Sequence, residues 1–312
     1  CIRDRFVGIF FIMVLLAMAV GMPSTLQYYK DNAESMMFAK YQYVLSDYED
    51  EDGNTVTTDN ADAEKFDMTS LQKKSDAFDE EVSVYGIEND SRYVQIDGLS
   101  ALKEGEVYIA KPFSEKYHLT KGDTVTLDEK YENKQYTFKV AGIYEKCQSI
   151  AVFMPIEQFR KVFALKDGQF GGFLSDTEIT DLEEDNVATV ITIRDITKMC
   201  DQLDHSMGNY MTYFQYLCIL LSIVMIYLLT KLIIEKNENA ISMTKILGYK
   251  NSEIAGLYLM ATTIAVLLID VVTVFLGEKV IVYVWAAMMT SYSGWFTFMV
   301  EPAGYLKMFA FV

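Results

Sequence analysis

The sequence predicts a membrane protein: an α-helical transmembrane bundle of three full spans plus a truncated fourth, with an α+β extracytoplasmic domain between the first two spans. The prediction rests on the apolar residues, which make up 51% of the 312 residues and are concentrated in blocks almost free of charge. A helix needs about 20 apolar residues to cross a bilayer. Three blocks have a suitable length: Phe6–Met22, Tyr213–Ile234 and Ile254–Leu276.

The first block is predicted to be a retained transmembrane helix within residues 1–23. Its apolar run is longer than that of a secretory signal peptide, and no small-residue cleavage site precedes the polar residues Pro23–Lys30. The chain begins with Cys1 and stops within a fourth apolar segment that is too short to span. We therefore expect a fragment of a longer protein, in which residues 304–312 begin a truncated fourth helix.

Basic residues near the spans predict which loops face the cytoplasm, where lysine and arginine accumulate. Arg3 and Arg5 precede the first span, and the short loop between the second and third spans holds or adjoins Lys231, Lys236, Lys245 and Lys250. Residues 24–211 are therefore expected outside the membrane, as is the outer loop 278–303. The formal net charge of -17 argues against binding of nucleic acid or anionic lipid.

The outer segment is predicted to fold as an α+β domain with helical stalks. Lys30–Lys40 is expected to continue the first helix as one stalk. Alternating apolar residues predict short strands. These strands contain Val82, Val84 and Ile87, then Val94 and Ile96, then Val107 and Ile109, then Val125 and Leu127, and then Phe138 and Val140.

Helices are predicted at three further places in this domain. Ser114 is expected to cap a short helix, and Pro155–Leu165 has the pattern of an amphipathic helix. A last strand, Val187–Ile193, leads to Asp195 as an N-cap. From there one helix is expected to pass directly into the second span, 212–234, because Gly208 is its only interruption.

Metal and nucleophile chemistry have little support, so we predict no catalytic or metal site in this chain. Asp50–Gly53 only partly matches a calcium-binding EF-hand loop, and a solvated acidic hairpin turn is the favoured interpretation. The two histidines, His118 and His205, are too few for a zinc site or a catalytic triad. A disulfide between Cys147 and Cys200 stays open, because their spacing matches no known pattern.

The segment 235–252, between the second and third spans, carries the most specific pattern. Ala240, Met243, Ile246 and Leu247 follow helical spacing, so the sequence predicts a short helix with one apolar face. Gly248 suits a left-handed C-cap, and Asn251 or Ser252 is expected to cap the third span, 253–277. A plain connection resting in the lipid headgroups is the alternative. We favour a docking element for a cytoplasmic partner, because a connection alone needs no apolar stripe.

Glu235–Glu253 resembles the segment after the second membrane helix in FtsX-like permeases of ABC transporters, and Ile246-Leu247-Gly248-Tyr249 matches its ending. Gly105–Leu127 followed by Phe138–Ile143 resembles the MacB-like extracytoplasmic core domain. The order of helices and loops agrees over nearly the whole chain. Asn237–Asn239 departs from the family pattern, which is more basic there.

The resemblance implies a permease subunit of the cell membrane that acts by mechanotransmission, in efflux or release of a peptide, lipoprotein or other amphiphile. A separate cytoplasmic ATPase would bind ATP and Mg, since this sequence has no GxxxxGK[ST] motif. Membrane lipid and a second permease half or subunit would be the other partners. The contact with the ATPase would be formed by Glu235, Glu238, Met243, Lys245, Ile246, Leu247 and Gly248. A membrane-anchored sensor of peptides or cell-wall fragments is the alternative.

Asp270 lies near the middle of the predicted third span. An ionisable residue there costs about 2.5–3.5 kcal/mol on insertion scales, so it usually faces a partner or a cavity. We favour a carboxylate that is hydrogen-bonded within the bundle or that reaches water near the outer surface. A proton or ion relay, as in a secondary transporter, is the alternative.

Overall fold

The computed structural model describes residues 2–32, 36–75, 78–131, 133–236 and 238–311. The chain divides into two compact units. One, the helical unit, consists of Cys1–Tyr28, Leu203–Ala286 and Thr297–Val312. The other, the sheet unit, consists of Tyr29–Gln202 together with Ala287–Phe296. The segment Ala287–Phe296 thus belongs to the sheet unit, although it is far from the rest of that unit in sequence.

The nine strands of the described residues all lie between the first and the fourth helix in the chain, with two short helices among them. In chain order the helices are α1 (Ile2–Asp31), α2 (Lys111–Tyr117), α3 (Ile156–Val162), α4 (Ile193–Lys236), α5 (Glu238–Ile246), α6 (Asn251–Met289) and α7 (Pro302–Phe311). The strands are β1 (Tyr41–Leu45), β2 (Glu64–Lys73), β3 (Glu80–Ile87), β4 (Glu106–Ala110), β5 (Thr124–Asp128), β6 (Gln135–Tyr144), β7 (Ala151–Pro155), β8 (Gly172–Ser175) and β9 (Val187–Thr192).

The helical unit has its own apolar core, formed mainly by α1, α6 and α7. Its buried members are Ile9, Ile12, Met13, Leu16, Ala17, Val274, Ile281, Phe298 and Met308. Met225 and Ile226 of α4 pack against this core. Gly277 of α6 lies close to α1, because a Cβ there would be 3.4 Å from the Cβ of Met13. Small residues at such places let helix backbones approach one another.

One helix within the described residues, Phe6–Asp31, is long and apolar enough to cross a membrane by length and composition, and Thr212–Leu228 is a shorter apolar helix. The predicted second and third spans lie on α4 and α6. The side chains of 251–266 lie outside the described residues. The bundle of three full spans and a truncated fourth therefore stays a prediction.

Large apolar side chains remain exposed on the helical unit. On α4 these include Leu217, Leu220, Leu221, Ile223, Val224, Tyr227 and Leu228. On α6 they include Leu268, Val271, Val272, Phe275 and Leu276. Large exposed apolar patches on a protein mark contact with a membrane or with another protein.

The first helix is longer than its predicted apolar span. Pro23 lies inside α1 and has no N–H to donate to the helix. The next two side chains bond to the preceding helical turn, since Ser24 Oγ donates to the carbonyl oxygen of Val20 and Thr25 Oγ1 to that of Gly21, both at 2.8 Å. α1 ends at Asp31, and the helical stalk expected over Lys30–Lys40 is wrong for residues 36–40, which are not α-helical.

The nine strands form one sheet in the order β3-β7-β4-β6-β5-β2-β8-β1-β9. An additional pairing of β3 with β2 closes the first six strands into a ring. β2 belongs to both parts, because Glu64–Phe66 pair with β8 and Phe66–Lys73 pair with β3. Pairs β3–β7 and β4–β6 are parallel, and the remaining pairs are antiparallel. The observed sheet unit is therefore α+β, as predicted.

Aromatic rings fill the core of the sheet unit around Phe153. Its ring lies 5.5 Å from that of Tyr85, 5.2 Å from that of Tyr144 and 5.8 Å from that of Phe38. Burying an aromatic side chain removes roughly 150–250 Å² from water. The strands outside the ring, β8, β1 and β9, form a three-strand extension. A second cluster beside this extension includes Tyr43, Leu45, Phe170 and Phe173.

The structure confirms β3, β4, β5, β6, β9 and α3, and it contradicts the strand predicted at Val94 and Ile96. That segment is a turn held by Ser91, whose Oγ accepts from the N–H of Val94 at 2.9 Å and donates to Glu64 at 2.7 Å. Val94 is buried at 1% exposure without belonging to a strand. Four strands were not predicted: β1, β2, β7 and β8.

The predicted N-caps of α2 and α4 are corrected. α2 begins at Lys111, because Pro112 suits the first turn of a helix. Ser114 lies inside this helix and donates to the carbonyl oxygen of Leu119 at 2.7 Å. Asp195 lies in the first turn of α4 and accepts from the N–H of Thr192 at 3.1 Å. A side chain that reaches back in this way satisfies a free N–H at the helix start.

The outer loop is shorter than the predicted 278–303. α6 continues to Met289, since residues 281–289 are apolar and contain neither glycine nor proline. Turns follow at 290–294, where Gly294 has φ +82°. α7 then begins at Pro302.

Candidate functional site

The predicted coupling residues lie at the end of α4, on α5, and in the turn directly after α5. Glu235 is in the last turn of α4, and α5 begins at Glu238. α5 ends in a turn with two backbone hydrogen bonds. The N–H of Leu247 donates to the carbonyl oxygen of Met243 at 3.2 Å, and the N–H of Gly248 donates to that of Lys245 at 3.1 Å. Gly248 has φ +89°, as expected of a left-handed C-cap.

This segment presents an exposed apolar face. Met243 is 69% exposed, Ile246 86% and Leu247 73%, while the side chain of Ala240 lies outside the described residues. Lys231 and Glu235 form an exposed ion pair at 3.7 Å on the preceding turns. Apolar side chains with charged neighbours can bind another protein, and a short exposed helix encloses no space for a small ligand.

The other predicted residues contribute no site within the described side chains. Those of Asp270, His205 and Cys200 lie outside the described residues. Cys147 carries a free, buried thiol 3.2 Å from Ser149 Oγ, and burial raises the pKa of this thiol. Asp50 closes the acidic hairpin, as its Oδ1 accepts from the N–H of Asn54 at 2.7 Å. No cluster that could hold a metal ion occurs among the side chains described.

A second site, not found by sequence reasoning, is a buried ion pair in the sheet unit. It joins Glu80, at the start of β3, to Lys116 on α2, and each side chain is 1% exposed. The Lys116 ammonium also donates to the carbonyl oxygens of Tyr292 at 2.6 Å and Gly294 at 3.0 Å. All three of its N–H groups therefore have an acceptor.

Glu80 also binds the segment that contains Tyr292 and Gly294. Its Oε1 accepts from the N–H of Gly294 at 2.8 Å and from Ser293 Oγ at 3.3 Å. Next to it, Trp295 Nε1 donates to Glu115 Oε2 at 2.8 Å. Gly294 is thus held through both its N–H and its carbonyl oxygen.

Aromatic side chains surround the pair. The Lys116 ammonium lies 4.8 Å from the ring centre of Phe78 and 5.8 Å from that of Tyr117. Burial, followed by the negative charge of Glu80, raises the pKa of Tyr117 to about 12. Its hydroxyl therefore stays protonated at neutral pH.

No protein-family model matches this sequence, and no curated protein matches it. Among solved structures, the chain is similar to the extracellular domain of the noncanonic ABC-type transporter YknZ from Gram-positive bacteria. The match has 13% sequence identity and a TM-score of 0.28, and covers 54% of this chain and 95% of that chain. At that TM-score the superposition does not establish a common fold.

Proposed function

We propose that this chain is the permease subunit of an ABC transporter and couples a cytoplasmic ATPase to an extracytoplasmic domain. One observation carries the proposal. α4 runs unbroken for 44 residues from the end of β9 to the start of the α5 segment. At 1.5 Å per residue this is about 66 Å, more than the roughly 40–45 Å of a whole bilayer.

A continuous helix transmits displacement, because bending or breaking it costs backbone hydrogen bonds. Movement imposed on α5 would reach β9 and, through the β1–β9 pairing, the rest of the three-strand extension. The exposed residues Met243, Ile246 and Leu247 offer the apolar contact by which an ATPase subunit would hold α5. Glu235, Glu238, Lys245 and Gly248 would complete this contact.

Membrane insertion accounts for the exposed apolar side chains of α4 and α6, which in lipid need no further cover. The lysines around α5 support a cytoplasmic position for that helix and an outer position for the sheet unit. ATP and Mg would be bound by the partner, and a second permease half or subunit would complete the transporter. The substrate class is a peptide, lipoprotein or other amphiphile, which is exported or released at the outer face.

The coupling contact is tested by Glu238→Lys together with Leu247→Asp in the full-length protein, purified with its associated proteins. We expect the wild type to co-purify with a nucleotide-hydrolysing subunit. The double variant should lose at least about tenfold of that subunit and of the associated ATP hydrolysis. Losing one central apolar contact typically costs more than 1 kcal/mol, and 1.4 kcal/mol is tenfold in affinity.

Tyr131→Asp is the matched control, because Tyr131 is 89% exposed and lies in the sheet unit. This variant should retain the ATPase. Equal retention by the double variant would show that α5 is not the contact. Co-purification of a kinase in place of an ATPase would favour the sensor.

A further inference from the structure

We propose that Glu80 and Lys116 form a clasp that reversibly fastens the segment between α6 and α7 to β3 and α2, within the sheet unit. The segment meant is 291–295, and its residue Gly294 is bound at both its N–H and its carbonyl oxygen. The inference concerns contacts inside the sheet unit, so it holds whether or not the proposed ATPase partner exists.

The segment is far in sequence from the residues that hold it. Ala287–Phe296 belongs to the sheet unit, although the residues that precede and follow it belong to the helical unit. Glu80 lies on β3, a strand of the six-strand ring, and Lys116 lies on α2, which directly follows the ring strand β4 in the chain. The clasp therefore holds the segment at the ring rather than at the three-strand extension.

The choice of residues indicates a contact that can open. Burying two charges costs several kcal/mol per ion, and an apolar pair of similar volume often stabilises a protein as well or better. Once the segment dissociates from Glu80 and Lys116, water can reach these two side chains while they remain paired with each other. The open state therefore leaves no unpaired buried charge, and regained hydration offsets part of the lost hydrogen bonding.

Both charged groups bind backbone atoms of the segment, so it matters which position carries the positive charge and which the negative. Lys116 donates to two carbonyl oxygens of the segment, and Glu80 accepts from an N–H group. Exchanging the two residues would restore an ion pair but would turn a carboxylate towards those carbonyl oxygens. An ion pair that served only the interior of the sheet unit would tolerate the exchange.

The first test is hydrogen exchange in the full-length wild-type protein in detergent. We expect the Gly294 N–H to exchange through a local opening, at a rate insensitive to low denaturant. The amides of the β2–β3 ladder should exchange more slowly and with strong denaturant dependence. If Gly294 exchanges at the same rate and with the same denaturant dependence as the ladder, the segment leaves only on unfolding and there is no clasp.

Variants then separate a clasp from a structural ion pair. We expect Glu80→Gln with Lys116→Met to accelerate exchange of the Gly294 N–H by about 10- to 100-fold, because the variant loses a hydrogen bond to a charged group. The β2–β3 ladder should stay protected. The exchange Glu80→Lys with Lys116→Glu should leave Gly294 equally unprotected. Restored protection in this swapped variant would overturn the proposal, as would full protection in the neutral one.

Two further variants keep the test independent of folding defects. Glu106→Gln with Lys139→Met removes the exposed 3.6 Å pair between β4 and β6 and should leave Gly294 protected. Gly294→Ala keeps both charges, and its Cβ would meet nothing within 4 Å, so only its φ of +82° opposes it. The amide at this position should exchange about 5- to 30-fold faster, given the 1–2 kcal/mol cost of a left-handed residue. An unchanged exchange rate in the Gly294→Ala variant would again count against the clasp.

Discussion

Replacing Gly172 with alanine is expected to destabilise the sheet unit by about 3 kcal/mol, near the upper end of the usual range for overpacked sites. Gly172 pairs with Val44 of β1 on one side and Phe66 of β2 on the other. A Cβ at this position would lie 2.0 Å from the carbonyl oxygen of Tyr43 and 2.9 Å from the Phe66 ring. The oxygen is backbone in a paired strand, so relief requires β1 and β8 to separate. Chemical denaturation of the full-length protein measures the loss, and hydrogen exchange of the β1–β8 ladder locates it.

Gly142→Ala in β6 is the matched control. A Cβ there would approach only the ring of Tyr108, at 2.5 Å, and a side chain can rotate away. We expect a loss of roughly 1 kcal/mol, similar to an ordinary point substitution. Equal stability of the two variants would mean that β8 is not packed against β1 as closely as the structure places it.

The strands that the sequence predicts differ from those it misses in how their two faces are buried. In β5, Val125 and Leu127 are buried while Thr124 is exposed, so the alternation is visible in the residue types. β7 has its first four residues buried, and β8 has all four, so neither alternates. Short apolar runs without a period do not distinguish a strand from a buried loop. Val94 gives the opposite error: its apolar side chain predicts a strand, but the residue is buried in a turn.

The two candidate sites differ in the same way. The α5 segment could be predicted because its helical spacing, its C-cap glycine and its flanking helices are all local in the sequence. The clasp could not, since Lys116 is 36 residues from Glu80 and 178 from Gly294. Neither residue stands in a recognisable motif. Only the folded sheet, which places the start of β3 beside α2, brings the three together.

The carboxyl of Asp67 is expected to make the stability of the sheet unit fall as pH rises from about 4 to about 6. Asp67 is buried on β2, and Oδ2 has no hydrogen-bond partner among the described residues. Burial raises its pKa from 3.8 to about 6, although the Met68 N–H and the charge of Arg160 oppose this. The folded state binds this proton more tightly than the unfolded state does. The protonated carboxyl therefore stabilises the fold fully below the pKa of the unfolded state, and this stabilisation is lost above the pKa of the folded state. At 1.36 kcal/mol per pKa unit, the loss by pH 7 is about 3 kcal/mol.

Asp67→Asn should remove this dependence, because the amide carries no charge at any pH and its oxygen can still accept from the Met68 N–H. The difference in unfolding free energy between wild type and variant, measured from pH 4 to 7, isolates Asp67 from the other carboxylates. Asp123→Asn gives a control of opposite sign. The Thr120 N–H donates to Asp123 at 2.7 Å and lowers its pKa. The Asp123 carboxylate therefore stabilises the fold above its unfolded pKa, and this contribution is lost as pH falls. Parallel curves for Asp67→Asn and wild type would mean that Asp67 is hydrated or paired in solution.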